Sequence, residues 1–303
     1  MKPSAFTHHS CQSVEEAVGL LGSAEDAKII AGGQSLVPMM NLRLANPPHL
    51  IDLNAIPGLD TLTVGPDTLT VGATARQHAV ERSAEITAAA PLIGAALAHV
   101  GHPQIRNRGT VVGSICHADP AAEMPAVFTT LGGHVTAQGP AGTRTIAAED
   151  FFDSYLTTTL EPEEIATSVS FRVPDGTSGW HFEEVTRRHG DFAIIGVVAL
   201  LTVSDGVVSD ARLTIFGGAG TPLRIAAAEE LLVGTAADGI DDALLTRAAA
   251  LTSESLRPLS DIHASAQYRR YVAGVLVTRG IRTSLQRATS ALATAPTTKE
   301  TLR

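Results

Sequence analysis

An α+β fold in three parts is what this sequence predicts, and three observations carry the prediction. Residues 1–57 alternate helical and strand patterns around a glycine turn, which reads as a small α/β unit. Residues 58–176 contain two hairpin signatures and read as α+β. Residues 177–290 give three strand patterns in meander order followed by three helical ones, so a three-stranded antiparallel sheet with three helices is expected there. Residues 291–303 are rich in Ala and Thr, and the chain is expected to fray beyond Ala288.

In the first part, Ser13 and Glu16 stand at capping-box spacing before Val14, Ala17, Val18 and Leu21, which share one helix face. An apolar strand at 28–30 runs into Ala31, Gly32 and Gly33. A helix should then start at Leu36, with Ser35 as its cap and Pro38 in its first turn. Twin glycines between strand and helix let the backbone approach a neighbour closely. They also leave N–H groups at a helix start, where an anion such as phosphate is favoured. The same pattern also serves an ordinary tight turn. A short strand at 49–53 completes the unit.

In the second part, DTLTVGPDTLTVGA and HVTAQGPAGTRTI are the two hairpins, turned by Gly65-Pro66-Asp67 and by residues 139–142. Helices are expected over 77–83, 91–100 and 121–131, and a strand over 165–173. The third part supplies the strands HFEEVTRR, FAIIGVVALLTV and ARLTIFGG. The middle one is continuously apolar and should be buried on both faces. Helices follow at 223–233, 241–256 and 265–287. The last carries Arg269, Arg270, Arg279, Arg282 and Arg287, a basic strip read as a solvated face.

Composition narrows the function. The 303 residues suffice for two or three domains, and a net charge of -9 argues against general affinity for nucleic acid or anionic membrane. Only Cys11 and Cys116 occur, too few for an iron–sulfur cluster within the chain. His8 and His9 lie near Cys11 without a fourth ligand, so no metal site is expected. No apolar leader and no membrane-length apolar run is present, and a cytoplasmic location is the default expectation.

A second glycine stretch, RNRGTVVGSICHADPAAEMP, covers residues 106–125. Gly109, Thr110, Gly113 and Ser114 read as a small-residue loop whose hydroxyl and N–H groups suit phosphate oxygens. Asp119 and Glu123 fall one turn apart if a helix starts near Pro120, and carboxylates accept from ribose hydroxyls. A Rossmann reading fails: Asp52 stands about 20 residues beyond the Gly-Gly turn, but Gln34-Ser35-Leu36 follows with no third glycine.

AGGQSLVPMMNLRLANPPHLIDLNAIPGL together with IRNRGTVVGSICHADPAAEMPA resembles the FAD-binding medium subunit of the molybdenum hydroxylases. That family contains aerobic carbon monoxide dehydrogenase, nicotine and ketone dehydrogenases and the flavin domain of xanthine dehydrogenase. The similarity runs from FTHHSCQSVEEAVGLL through LEPEEI and RRHGDFAIIGVVAL to the C-terminal helices. It implies an FAD-binding fold of the vanillyl-alcohol-oxidase (PCMH) type, with FAD held between the two N-terminal subdomains.

Carried over by position, Ala31, Gly32, Gly33, Gln34, Ser35 and Leu36 would wrap the FAD pyrophosphate, and Thr110, Val111, Val112, Gly113 and Ser114 would form a second loop. His117, Asp119 and Glu123 would lie toward ribose and adenine. Ile165 would approach the adenine, the strand from Arg187 to Phe192 the isoalloxazine, and His102 and Ile105 the ring or its phosphate. The family often has two glycines where this chain has Val112-Gly113. A valine at positive φ is strained, so the resemblance implies either β dihedrals at Val112 or a shifted loop.

By the same resemblance, the chain passes electrons from [2Fe–2S] clusters of a small partner subunit to an external acceptor. Substrate is hydroxylated at a molybdopterin cofactor in a large partner subunit, and the assembly is a dimer of heterotrimers. HADPAAEMPA and DFAIIG lean toward the members acting on N-heterocycles and ketones. No general acid or base is assigned. A free-standing FAD oxidase or dehydrogenase acting directly on a small molecule is the alternative, and a non-redox nucleotide-binding or scaffold protein a third.

Overall fold

A computed structural model of the chain describes residues 1–174 and 176–294. Strands are numbered in chain order. The first sheet joins β1 (Thr7–Ser10), β2 (Lys28–Ile30) and β3 (His49–Asp52) in the order β1-β3-β2, all parallel. β1 has almost no apolar signal. It is a strand because its backbone pairs with β3 from Thr7 opposite His49 to Ser10 opposite Asp52. The helix Val14–Ser23 is capped as expected: the Glu16 amide donates to Ser13 Oγ at 3.1 Å, and Glu16 in turn accepts from the Gln12 amide at 2.7 Å.

The second sheet is antiparallel, in the order β4-β5-β10-β6-β7. Its strands are β4 (Leu62–Val64), β5 (Thr68–Gly72), β6 (Gly133–Gly139), β7 (Gly142–Ala147) and β10 (Ile165–Arg172); β8 (Phe152–Ser154) and β9 (Thr157–Thr158) form a small separate ribbon. β10, distant in sequence from both hairpins, sits at the centre and joins them. Phe128, Phe151 and Phe171 are fully buried, and Phe128 meets the other two edge to face at centroid distances of 6.1 and 5.7 Å. One continuous apolar core runs beneath the first two sheets, including Ile51, Leu69 and Phe128.

The third sheet is β11 (Ser178–Val185), β12 (Ile195–Ser204), β13 (Val207–Phe216) and β14 (Leu223–Arg224), antiparallel throughout. The three expected strands are thus extended by a short fourth: residues 223–224 pair with β13 and the helix starts only at Ala226. β12 is continuously apolar because Val197, Ala199 and Leu201 face the C-terminal helices while Val198 and Leu200 face the N-terminal core.

Other boundaries also moved. HFEEVTRR leaves the sheet at Val185, so residues 186–192 form a loop where a strand to Phe192 was expected. The final helix spans Ala266–Thr294, past the expected fraying point. Up to that point it packs on β11: a Cβ on Gly179 would lie 1.9 Å from the Ser284 carbonyl and 2.4 Å from the Ala288 amide, and Arg287 sits 4.0 Å over the Trp180 ring. Residues 295–303 of the expected tail lie outside the described residues.

The arginine strip is used by the fold itself. Arg279 pairs with Glu183 at 2.7 Å, and Arg282 with Asp242 at 2.5 Å. Arg269 is buried, donating to the carbonyls of Ile194 and Gly217 and to Asp261. Near the N-terminus, His8 pairs with Asp52 and His9 with His49, each at 3.1 Å. Among the described residues no cluster of three metal-ligating side chains occurs, and no helix is long and apolar enough to cross a membrane.

Candidate functional site

The twin glycines end β2 and open a cleft of about 440 Å³. Ala31, Gly32, Gly33 and Gln34 line it with Val37, Pro38, Asn41, His8, Asp52, Asn54 and Arg108. Gly33 adopts φ +70, which a residue with a side chain rarely takes. Gly32 is a close approach: a Cβ there would lie 2.6 Å from the Arg108 carbonyl oxygen and 2.7 Å from the Gly109 Cα. The first glycine segment therefore lies directly against the start of the second.

Two side chains and the Arg108 carbonyl hold that junction. Asn54 donates to the Ala31 carbonyl at 2.8 Å, and Arg76 donates to Asn54 Oδ1 at 2.5 Å and to the Arg108 carbonyl at 2.6 Å. Burial, and secondarily Arg108, hold the Arg76 guanidinium below its ordinary pKa. Sequence reasoning missed Asn54, Arg76 and Arg108. Arg108 stood inside the quoted glycine stretch, whereas Asn54 and Arg76 carry no local signal and are defined by long-range contact alone. Ser35 departs from expectation, since it has αR dihedrals and makes no capping bond; Leu36 opens a helix of only six residues, Leu36–Asn41.

The second glycine stretch is a helix where a loop was expected. Thr110 is the N-cap of Val111–His117, its Oγ1 accepting from the Gly113 amide at 3.0 Å. Val112 is therefore helical, which removes the choice between β dihedrals and a shifted loop. Val111 and Val112 point into the core, so only their backbone can face a ligand. Their amides, as the first two of the helix, have no intrahelical acceptor, whereas the Gly113 amide is taken by the cap. Gly113 must lack a side chain because a Cβ would meet Thr110 Oγ1 at 2.5 Å. Ser114 is half-buried in the next position.

His117 ends this helix, and burial pushes its imidazole pKa down against the opposing pull of Asp119. Ala118 then takes a left-handed turn, and Asp119 accepts from the Ala121 amide at 2.8 Å. The next helix starts at Glu123, so Asp119 and Glu123 face each other across a turn and not along a helix from Pro120. Glu123 is buried, and burial first, then Glu184, raise its carboxyl to about 8.

The remaining candidates are spread around this seam. His102 stands at the N-cap position of Pro103–Arg106 without a side-chain capping bond, and Ile105 packs on Gly101. Gly190 closes against the Gly101 carbonyl and the His102 ring, which brings the 186–192 loop to the same edge. There Arg187 pairs with Asp191 at 3.8 Å, and Phe192 is 60% exposed. Ile165 is 1% exposed at the start of β10 and belongs to the core.

Comparison with known proteins gives this arrangement a family. Residues 4–175 match the FAD binding domain in molybdopterin dehydrogenase, and residues 180–284 match the CO dehydrogenase flavoprotein C-terminal domain. The chain belongs to the FAD-binding medium-subunit family of the molybdenum hydroxylases. It is 40% identical over 291 residues to the 6-hydroxypseudooxynicotine dehydrogenase complex subunit alpha of Paenarthrobacter nicotinovorans, covering 95% of this chain and 97% of that one. It is 39% identical to the nicotine 6-hydroxylase medium subunit of the same organism, covering 93% and 98%. A solved carbon monoxide dehydrogenase from Hydrogenophaga pseudoflava superposes with a TM-score of 0.91 at 36% identity, covering 95% of this chain and 99% of that one. As a member of this family the chain is a flavoprotein oxidoreductase component with the PCMH-type α+β fold.

The site fits the family's cofactor on its own geometry. A backbone-lined cleft with Arg108 at its edge suits an anionic pyrophosphate.

Proposed function

We propose that this chain is the electron-transfer subunit of a heterotrimeric molybdenum hydroxylase, carrying electrons from the [2Fe–2S] clusters of a small partner subunit to an external acceptor. Substrate chemistry would belong to a large molybdopterin-binding partner, in a dimer of heterotrimers in the cytoplasm. Residues 1–57 and 58–176 act as the two FAD-binding subdomains, and residues 177–290 as the C-terminal domain. The observation that carries the reading is the contact of Gly32 with Arg108 and Gly109, which unites two distant glycine segments at one cleft.

When bound, FAD supplies the redox chemistry; the protein binds, orients and tunes it. Ala31–Gln34 present backbone to the pyrophosphate, with Ser35 and Leu36 continuing the wrap, and the Val111 and Val112 amides approach from the second segment. Thr110 and Gly113 hold that segment in shape, and Ser114 offers a hydroxyl. His117, Asp119 and Glu123 lie toward ribose and adenine with Ile165 behind them, while His102, Ile105, Arg187 and Phe192 border the isoalloxazine. The lean toward substrates of the N-heterocycle and ketone class is supported by the names of two relatives, a nicotine 6-hydroxylase and a 6-hydroxypseudooxynicotine dehydrogenase.

The test is purification from the native host, followed by a visible spectrum and mass identification of bound subunits. Flavin and iron–sulfur absorbance with one large and one small partner is the expected result. Flavin on a solitary chain bleached directly by a small substrate would favour the free-standing enzyme, and a colourless preparation would refute both.

A further inference from the structure

The helix Leu36–Asn41 has the glycine cleft on one side, lined by its Val37, Pro38 and Asn41. Its C-terminal end is closed by a turn of unusual make. The Arg43 amide donates to the Met40 carbonyl at 3.1 Å and the Leu44 amide to the Met39 carbonyl at 2.9 Å, the paired bonds of a Schellman cap. The left-handed position of such a cap is ordinarily glycine, yet here it is Arg43 at φ +61. The residue after it ordinarily folds back on the helix, yet Leu44 is 71% exposed, and Leu42 before the turn is 60% exposed.

Charge marks the same surface. The chain carries -9 overall, but residues 1–14 and 27–51 contain no Asp or Glu and include Lys2, Lys28 and Arg43. The Arg43 guanidinium donates to the Lys2 carbonyl at 3.0 Å and to Ser4 Oγ at 3.3 Å, both neutral acceptors, so its charge has no acidic partner among the described residues. Ser4 in turn donates to Asn46 Oδ1 at 2.9 Å, which lays the N-terminal segment along the turn. Exposed large apolar side chains rimmed by one sign of charge are the make-up of a protein-binding face. Leu259 and Ile262, which precede the final helix, are exposed too, but neither belongs to an element that lines the glycine cleft.

We propose that the face formed by Val37, Leu42, Arg43 and Leu44 is the docking surface for the small [2Fe–2S] partner, which meets it with apolar side chains ringed by Asp or Glu. This deepens the electron-transfer reading and rests on it. Position selects the partner. A six-residue helix is about 9 Å long, so the turn at residues 42–44 stands about one helix length from the glycines. Electron exchange weakens steeply with distance, so the subunit that supplies electrons needs a seat beside the flavin cleft, whereas the subunit that hydroxylates substrate does not. Charge selects the partner's surface. An acidic rim pairs with Arg43 and Lys2 and is repelled by the acid-rich remainder of the chain, which orients the encounter. Glycine at position 43 would relieve the backbone but bring no charge, so the arginine is explained by what it meets.

The experiment uses the complex purified from the native host, diluted in steps and weighed by native mass spectrometry, with flavin content read from its visible spectrum. Leu44→Asp, which sets acid against acid, and Arg43→Gly, which suits the left-handed turn, should each weaken retention of the small subunit by roughly 10-fold or more, with flavin content unchanged. Added salt should weaken the wild-type contact and affect Arg43→Gly less. Val233→Ser, at an exposed apolar position after the helix Ala226–Leu232, should match wild type. Retention equal to wild type in either variant, or loss of the large subunit alone, would overturn the inference and leave the electron-transfer reading standing. A wild-type complex with no iron–sulfur subunit would overturn both. A photoreactive phenylalanine analogue at position 44 of the assembled complex gives a check that does not depend on weakened binding. Crosslinks to an Asp- or Glu-bearing segment of the small subunit support the proposal. Crosslinks only to the large subunit or to a second copy of this chain, or none at all, overturn it.

Discussion

Replacing Gly32 with Ala probes the junction on which the site depends. The added Cβ would lie 2.6 Å from the Arg108 carbonyl oxygen, against about 3.4 Å for ordinary contact, so the two segments must part by roughly 0.8 Å. Neither wall is a flexible side-chain end: both are backbone, and the Arg76 and Asn54 hydrogen bonds tie them. Overpacking of this kind costs about 1–3 kcal/mol. If the strain is expressed as an opened cleft, FAD affinity falls by roughly 5- to 150-fold. Quenching of flavin fluorescence on binding measures the affinity, and thermal unfolding of the flavin-free protein measures the stability. Gly19→Ala is the control: it lies within the Val14–Ser23 helix with nothing within 4 Å of the added Cβ. It should stabilise by about 0.5–1 kcal/mol and leave binding unchanged. A Gly32→Ala protein that unfolds and binds FAD like wild type would refute the close-approach argument.

Three other outcomes follow from the same geometry. Thr110→Ala should lose about 1 kcal/mol of stability by freeing the Gly113 amide; chemical denaturation would detect it, and Thr110→Ser should recover most of the loss. Gly179→Ala should cost more than about 3 kcal/mol, because its Cβ would meet Ser284 backbone at 1.9 Å; its thermal transition should fall well below that of wild type. Glu123, raised in the fold to about 8, stabilises most below its ordinary value near 4.5, and this contribution is lost as pH rises through 8. The stability gain of Glu123→Gln over wild type in the flavin-free protein should therefore grow across that window, and a gain independent of pH would contradict the buried-acid assignment.

The carboxyl and arginine contacts also show how the C-terminal region serves the site. The Gly217 amide donates to the Pro120 carbonyl at 2.7 Å, and the Gly217 carbonyl accepts from Arg269 at 2.9 Å. Arg269 also holds Ile194, two residues beyond Phe192. The final helix thus braces both the 117–123 turn and the end of the 186–192 loop. Breaking a buried charged hydrogen-bond set of this kind is strongly destabilising.

Local patterns in the chain determined most of its elements. Ser13 and Glu16 announced a capped helix, alternation announced the hairpins, and an unbroken apolar run announced a strand buried on both faces. These features depend on residues close in sequence, where periodicity and turn chemistry act directly. Tertiary structure alone decided the rest. β1 is a strand because β3 offers it a pairing edge, and residues 223–224 are a strand because β13 does the same. Thr110 caps a helix where a glycine-rich loop was expected, since its bond to Gly113 fixes a conformation that small residues permit but do not choose. Asn54 and Arg76 enter the site through contacts spanning tens of residues. No spacing along the chain encodes such contacts, because they exist only once the sheets have brought distant backbones together.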